Sequence, residues 1–356
     1  MMRLMAALLF VLFACGIGVA VFAQGVGWEA LNTEALSLYQ KGRYDRAAVI
    51  AKKAVDAAEK SMGPDHPAVA TSLDTLAVIY HTQGRYAQAE PLYTRALAVM
   101  EKAYGPGDPR AATILDDLAE LYRTEGRYTD AESLFARVVA IMEKAYGADD
   151  PLVAASLSNL AALYRDQRLY AQAEPLYKRA LAITEKHFGP DAPATARSLN
   201  NLAQFYHARG QYLEAVQLFK RALAIWEKSL GPDAPEVATS LNDLAALYYD
   251  QRRYAKAEPL YKRALAIREK ALGFEHPAVA TSLDNLAVLY VAQGRYALAE
   301  PLFKRSLLIT ERALGPDHPA VAASLNNLAG LYRKTGREAE AKKLANRATA
   351  ILAARR

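Results

Sequence analysis

SLNNLAQFYHARGQYLEAVQLFKRALAIWEKSLGPDAP, residues 198–235, is a unit that recurs along this chain with a period of 42 residues. The same tyrosine returns in seven successive copies, at Tyr44, Tyr86, Tyr128, Tyr170, Tyr212, Tyr254 and Tyr296. A fixed period of this length is typical of a solenoid, whose units bury their apolar faces against their neighbours. The sequence therefore predicts a repeat domain over residues 24–356, with repeats near 28–62, 67–104, 109–146, 151–188, 193–230, 235–272, 277–314 and 319–355.

Composition excludes several classes of function for the repeat region. The chain has 356 residues, a formal charge of +6 and lysines interleaved with glutamates, which is typical of solvated helix faces and argues against nucleic-acid binding. Its single cysteine, Cys15, lies outside the repeats, so disulfides and zinc-thiolate sites are not expected there. No metal, cofactor or catalytic motif is predicted, and we expect no enzyme activity.

The first 23 residues have the pattern of a secretory signal peptide. Arg3 precedes an apolar run over residues 4–22, and a small-residue cleavage site ends at Ala23. The run is also long enough for an uncleaved membrane anchor over residues 4–22. Attachment of a lipid at Cys15 is a third alternative. Each of these predicts an exported repeat domain, periplasmic or extracellular.

Each repeat contains two helical patterns separated by a polar turn. In the second repeat the first helix is predicted over about 67–82 and the second over about 86–104, each with an apolar face. A glycine such as Gly84 stands in the turn, where a helix end favours a left-handed residue, and Gln167 and Gln251 are predicted in this slot in two repeats. Aspartates before the repeated proline are predicted to cap the first helices: Asp65, Asp108, Asp150, Asp191, Asp233 and Asp317.

A repeated arginine in the second helix is interpreted as part of the scaffold, its stem packed and its guanidinium paired with a neighbouring glutamate. The row comprises Arg95, Arg137, Arg179, Arg221, Arg263, Arg305 and Arg347.

These residues resemble the tetratricopeptide repeat in its long form, similar to the repeats of kinesin light chains. The resemblance is carried by the Leu-Ala-x-x-Tyr run, the Gly-x-Tyr-x-x-Ala turn and pairs such as Tyr93 with Ala96. It implies an all-α, right-handed superhelical solenoid of about eight helix-turn-helix repeats, with a concave groove lined by the first helices.

Polar residues on the first helices form the candidate binding site. Amides along a groove can pair with both the N–H and the C=O groups of an extended peptide. One position holds Asn159, Asn201, Asn285, Asn327, Asp117 and Asp243; the position before it holds Asn200, Asn242 and Asn326; and one turn further lie Arg123, Arg165 and Arg333. The resemblance implies that the Asn directly before Leu-Ala contacts the peptide backbone.

The sequence thus predicts a non-enzymatic exported scaffold that binds a peptide or partner protein in a concave groove. An alternative is a structural scaffold of the cell envelope that self-associates or is tethered to the membrane through its N-terminus. A plainer interpretation of the polar row is that it only keeps a helix face solvated.

Overall fold

The computed structural model describes residues 27–353, so the predicted leader, residues 1–23, lies outside the described residues. Most first helices begin at the repeated proline, which has no N–H to lose in a first turn. Most second helices begin at the repeated tyrosine. The helices are α1 (Trp28–Gln40), α2 (Tyr44–Met62), α3 (Pro67–Thr82), α4 (Tyr86–Tyr104), α5 (Ala112–Thr124, after a 3-10 turn at Pro109–Ala111), α6 (Tyr128–Tyr146), α7 (Pro151–Asp166), α8 (Tyr170–Phe188), α9 (Pro193–Ala208), α10 (Tyr212–Leu230), α11 (Pro235–Asp250), α12 (Tyr254–Leu272), α13 (Pro277–Ala292), α14 (Tyr296–Leu314), α15 (Pro319–Lys334) and α16 (Glu338–Ala353).

Residues 27–353 contain no β-strand, and their sixteen α-helices follow one another as eight helix-turn-helix pairs. The predicted all-α class and the number of repeats are therefore confirmed. None of these helices is both long and apolar enough to cross a bilayer.

The chain divides into two compact parts, which are described separately below. The N-terminal body comprises the described residues up to Glu125, and the C-terminal body begins at Gly126.

Five second helices of the C-terminal body, α6, α8, α10, α12 and α14, each bury one large aromatic ring, whereas α16 has Ala345 at this position. Tyr177, Phe219 and Phe303 are almost completely buried against the leucines and alanines of the neighbouring helices. Loss of such a ring would cost about 3–5 kcal/mol because a cavity would remain. One buried cluster extends from Ala203 in α9 to Ala341 in α16, so the core continues from one helix pair to the next over this part of the body.

The turn inside each repeat contains a residue in the left-handed conformation. It is glycine in most repeats, including Gly84 (φ 65°) and Gly210 (φ 80°). In two repeats the residue is Arg168 (φ 60°) and Arg252 (φ 58°), so the prediction of Gln167 and Gln251 was wrong by one position. The glutamines are instead the preceding helix-end residues.

The predicted aspartate caps are correct in only two repeats. Asp108 and Asp150 accept a hydrogen bond from the backbone N–H two residues ahead. In three other repeats a histidine caps the helix through Nδ1, as His276 does for the N–H of Ala278 at 3.1 Å. Asp65, Asp191, Asp233 and Asp317 are not caps. The first three lie beside Lys102, Lys228 and Lys270.

The repeated arginines have the predicted scaffold role. Arg263 donates to the backbone oxygen of Pro232 at 3.1 Å and pairs with Glu227 at 2.6 Å. Arg179, Arg221, Arg305 and Arg347 bind a carbonyl and a glutamate of the preceding repeat in the same way.

A glutamate clasp connects successive repeats of the C-terminal body. A glutamate in the first turns of one second helix accepts a hydrogen bond from the tyrosine hydroxyl of the next first helix, and in some repeats also from an arginine. The pairs are Glu132 with Tyr164, Glu174 with Tyr206 and Arg209, Glu258 with Tyr290 and Arg295, and Glu300 with Tyr332 and Arg337. Val216 occupies the glutamate position between α10 and α11, so the clasp is missing at this joint.

Candidate peptide-binding face of the first helices

The first helices of the C-terminal body present two adjacent polar positions in each repeat. We call these residues the inner polar row: Ser158 and Asn159, Asn200 and Asn201, Asn242 and Asp243, Asp284 and Asn285, Asn326 and Asn327. They lie one turn or less before the buried Leu-Ala pair of each helix, which holds the helix against its neighbours. Stacking of the helices therefore places the polar pairs side by side.

Hydrogen bonds join the row from one repeat to the next. Asn285 donates through Nδ2 to Oδ1 of Asn242 at 2.8 Å. Asn200 donates through Nδ2 to Oδ2 of Asp243 at 3.0 Å. In both cases the first position of one repeat meets the second position of the next. This contact fixes the orientation of the amide groups, because a flipped amide would place two donors or two acceptors together.

The members of the row differ in what they leave open to a ligand. Asn159 and Asn200 are only 6% and 4% exposed. Asn201, Asn326 and Asn327 are at least partly exposed, and their side chains form no hydrogen bond within residues 27–353. The predicted Asn row is thus brought together, but its accessible amides are mainly Asn201, Asn326, Asn327 and the outward atoms of the Asn242–Asn285 pair.

A buried charge lies beneath the row between α9 and α11. Burial raises the pKa of Asp243, and the hydrogen bonds from Asn200 and from Gln204, at 2.7 Å, partly oppose that rise. Arg268 lies close enough to act on the same carboxylate electrostatically, and it donates to Ser282 Oγ at 2.8 Å. These contacts connect α9 with α11 at the joint that lacks the glutamate clasp.

Asp284 is a second buried carboxylate of the row. Burial raises its pKa to about 6, although Ser306 and Ser324 act in the opposite direction. Its Oδ2 accepts from Ser324 at 3.3 Å, and its Oδ1 is buried without a hydrogen-bond partner. An unpaired buried carboxylate oxygen favours the protonated acid.

The helix positions that follow the inner polar row toward the end of each first helix are partly occupied by contacts within the protein. Arg165 contacts Asp166 at 2.9 Å and Gln204 at 3.3 Å. His207 contacts Asp250 at 2.7 Å. Arg333 is exposed and lines an open cavity of about 500 Å³ with Lys342 and Asn346.

The equivalent face of the N-terminal body is acidic instead of amide-rich. It carries Asp74, Asp116 and Asp117, all partly buried. Burial raises the pKa of Asp74 to about 7, and its Oδ1 has no hydrogen-bond partner within the described residues. Arg123 pairs with Glu120 on its own helix. The amides predicted to bind a peptide therefore all belong to the C-terminal body.

Two residues of this face were not selected from the sequence. Gln204 bridges Arg165 and Asp243, and Arg268 lies behind Asp243. Arg268 stands where other repeats have Met100, Thr184, Trp226 or Thr310, so a charge at a position that is otherwise uncharged was the available signal. The described residues include no group of three or more side chains arranged to bind a metal ion.

Comparison with known proteins agrees with the architecture. The tetratricopeptide repeat model matches residues 29–102, 76–144, 110–186, 152–223, 194–270, 238–307 and 278–354. A search of curated proteins finds no match.

Solved structures with similar folds include BtubC (BKLC) from P. vanneervenii, with 25% identity and a TM-score of 0.51 over 68% of this chain and 92% of that one. Yeast Tom70 has 16% identity and a TM-score of 0.65 over 96% of this chain and 64% of that one. A protein of Podosopora anserina, described as a kinesin light chain with nearly identical TPR-like repeats, has 31% identity and a TM-score of 0.49 over 58% of this chain and 98% of that one. The family model spans almost the whole repeat region, and the chain belongs to the tetratricopeptide repeat family.

Proposed function

We propose that this protein is a non-catalytic scaffold that holds an extended peptide, or an extended segment of a partner protein, along the inner polar row. The observation that carries the proposal is the accessible Asn242–Asn285 pair, whose amides are oriented by a bond between repeats. An amide oriented in advance loses little conformational entropy when a peptide binds.

The geometry of the Asn242–Asn285 pair supports recognition of a peptide backbone. One bond uses the Nδ2 group of Asn285 and the Oδ1 atom of Asn242. The remaining Oδ1 of Asn285 accepts, and the remaining Nδ2 of Asn242 donates. A backbone N–H and C=O of an extended chain would complete both amides, with no requirement for a particular side chain. Recognition of this kind selects for conformation more than for sequence.

Asn201 and Asn327 provide the sharpest test, because neither side chain has a hydrogen bond to lose within residues 27–353. Peptides would be selected from a random library on the immobilised protein, and their Kd measured by calorimetry. Each Asn→Ala substitution should weaken binding by about two- to twelve-fold, which corresponds to a net hydrogen bond of about 0.5–1.5 kcal/mol. Thermal stability should stay unchanged.

Gln217→Ala is the matched control, since Gln217 is an exposed amide on the second helix α10 and lies outside the row. Its Kd should equal that of the parent protein. Selected peptides that bind the Asn201→Ala, Asn327→Ala double variant as tightly as the parent would remove the row as the binding surface.

We also propose that the repeat region is exported through residues 1–23. The pattern of one basic residue, an apolar run and a small-residue cleavage site supports cleavage, and an anchor over residues 4–22 is the alternative. Sequencing the N-terminus of the protein after expression in a bacterial host with a secretory pathway tests both. A mature N-terminus at or near Gln24 supports cleavage, and an intact Met1 in the membrane fraction supports the anchor.

A further inference from the structure

Two tyrosines at the edge of the inner polar row form an open aromatic surface. Tyr249, at the end of α11, and Tyr254, at the start of α12, have ring centroids 5.6 Å apart with planes inclined at 41°. Both side chains are partly exposed. Neither hydroxyl forms a hydrogen bond within residues 27–353, and no cation of that range lies over either ring.

The equivalent pair in the first repeat is closed by a contact within the protein. Tyr39 and Tyr44 have centroids 5.3 Å apart, and the hydroxyl of Tyr39 is 3.1 Å from Oγ1 of Thr82 in the next repeat. Ala292 stands where Thr82 would correspond for Tyr249, so that hydroxyl has no partner there. The α11–α12 pair therefore keeps a surface that the first repeat uses for packing.

A carboxylate adjoins these rings. Asp250 follows Tyr249, its side chain is 47% exposed, and it is near enough to act electrostatically on Tyr249 and on the buried Tyr261. Its Oδ2 contacts His207 at 2.7 Å, which leaves Oδ1 for another donor. Two nearby cations are directed elsewhere, since Arg253 and Lys256 lie over Tyr248.

We propose that Tyr249, Tyr254 and Asp250 form a subsite for a basic side chain, arginine or lysine, of the peptide held by the inner polar row. The proposal rests on the proposed function for its ligand, a peptide in the row. A cation over a tyrosine face is attracted by the negative face of the ring, and a neighbouring carboxylate adds a charge-assisted hydrogen bond. The planar guanidinium matches both surfaces, so arginine should bind more tightly than lysine.

The test uses a single-residue probe, which does not depend on the rest of the row. Nα-acetyl-arginine methylamide would be titrated into protein carrying ¹³C-labelled tyrosine rings, with the citrulline and lysine analogues in parallel. The signals of Tyr249 and Tyr254 should shift saturably with the arginine compound, less with the lysine compound and least with the uncharged citrulline compound. Tyr249→Leu should weaken arginine binding by about two- to thirty-fold, as cation–π attraction predicts.

Asp250→Asn is the second variant, because asparagine retains an acceptor for His207 and removes the charge. It should weaken arginine binding and leave citrulline binding unchanged. Asp166→Asn is its matched control, since Asp166 occupies the same helix position two repeats earlier and pairs with Arg165. Equal binding of arginine and citrulline compounds, or unchanged arginine binding in Asp250→Asn, would overturn the subsite.

Failure of the row and failure of the subsite give different results. If the row is wrong but the subsite is right, Asn201→Ala and Asn327→Ala leave the Kd of the library peptides unchanged. The arginine compound still shifts the signals of both tyrosine rings. If the subsite alone is wrong, library peptides depend on the asparagines and show no loss when arginine and lysine are replaced by citrulline.

Discussion

At the scale of single residues, Asp284 is the clearest case of a side chain that opposes the fold at neutral pH. Neighbouring repeats have Asn200, Asn242 and Asn326 in its position. A buried carboxylate with one oxygen lacking a donor is destabilised when it is ionised. The same site in its neighbours avoids this cost with an uncharged amide.

Asp284→Asn should therefore stabilise the protein at pH 7.5, by up to about 3 kcal/mol if the whole rise in pKa from 3.8 to about 6 is removed. Because the pKa of Asp284 is higher in the folded state, protonation of this carboxyl makes the parent protein more stable as the pH falls through about 6. This increase in stability is complete once the pH is below the ordinary pKa of 3.8. Urea unfolding at pH 7.5, 6 and 4.5 measures it. The variant's advantage should shrink toward low pH, and a constant advantage would contradict the assignment.

At the scale of helices and turns, the local signals in the sequence were sufficient for most helix starts. Proline at the start of a first helix and tyrosine at the start of a second helix place α7 at Pro151 and α8 at Tyr170, as expected. The caps were harder, because Asp65 and His66 are neighbours and both can accept a hydrogen bond. Backbone geometry decides between them, and it directs His66 toward the N–H of Ala68 and Asp65 toward Lys102.

The glutamate clasp makes a prediction for the α10–α11 joint. Val216→Glu should introduce the missing acceptor for the Tyr248 hydroxyl and for Arg253, as Glu258 serves Tyr290 and Arg295. We expect a gain of about 0.5–1 kcal/mol in the free energy of unfolding, since a partly exposed ion pair is worth little more. Val216→Gln is the control without the charge and should gain less.

Urea unfolding of the three proteins measures this difference, and raised salt should reduce the gain of Val216→Glu. A Val216→Glu protein less stable than the parent would show that the valine's packing against the neighbouring core outweighs the clasp. A Val216→Glu protein no more stable than Val216→Gln would contradict the contribution of the charge.

At the scale of the whole molecule, the repeat period was visible in the sequence but the pairing across repeats was not. The bonds of the inner polar row join residues 43 positions apart, one more than the period. An offset of this kind follows from how one helix pair is placed on the next, which no single repeat contains. Asn159 and Asn200 were consequently grouped with exposed amides although both are buried.

The arginine row predicts that the same substitution has the same effect in different repeats. Arg221, Arg263 and Arg305 each bind one carbonyl and one glutamate, and lysine cannot reproduce both contacts from one planar group. Each Arg→Lys change should cost about 0.5–1 kcal/mol, and the triple variant should lose the sum, as nearest-neighbour stability in a solenoid implies. Denaturant unfolding of the four variants checks this, and a triple loss well above the sum would indicate longer-range coupling.

The glutamate clasp also determines where such a protein can be cut and rejoined. Glu258 belongs to one helix pair, and the tyrosine and arginine that it holds belong to the next. A helix pair moved as residues 235–272 would carry Glu258 without Tyr290 and Arg295. The glutamate would then face a different repeat. A segment that begins with a second helix and ends after the turn that follows the next first helix, such as 254–295, carries Glu258 together with Tyr290 and Arg295. Gene duplication or recombination in that frame would preserve the clasp that it moves.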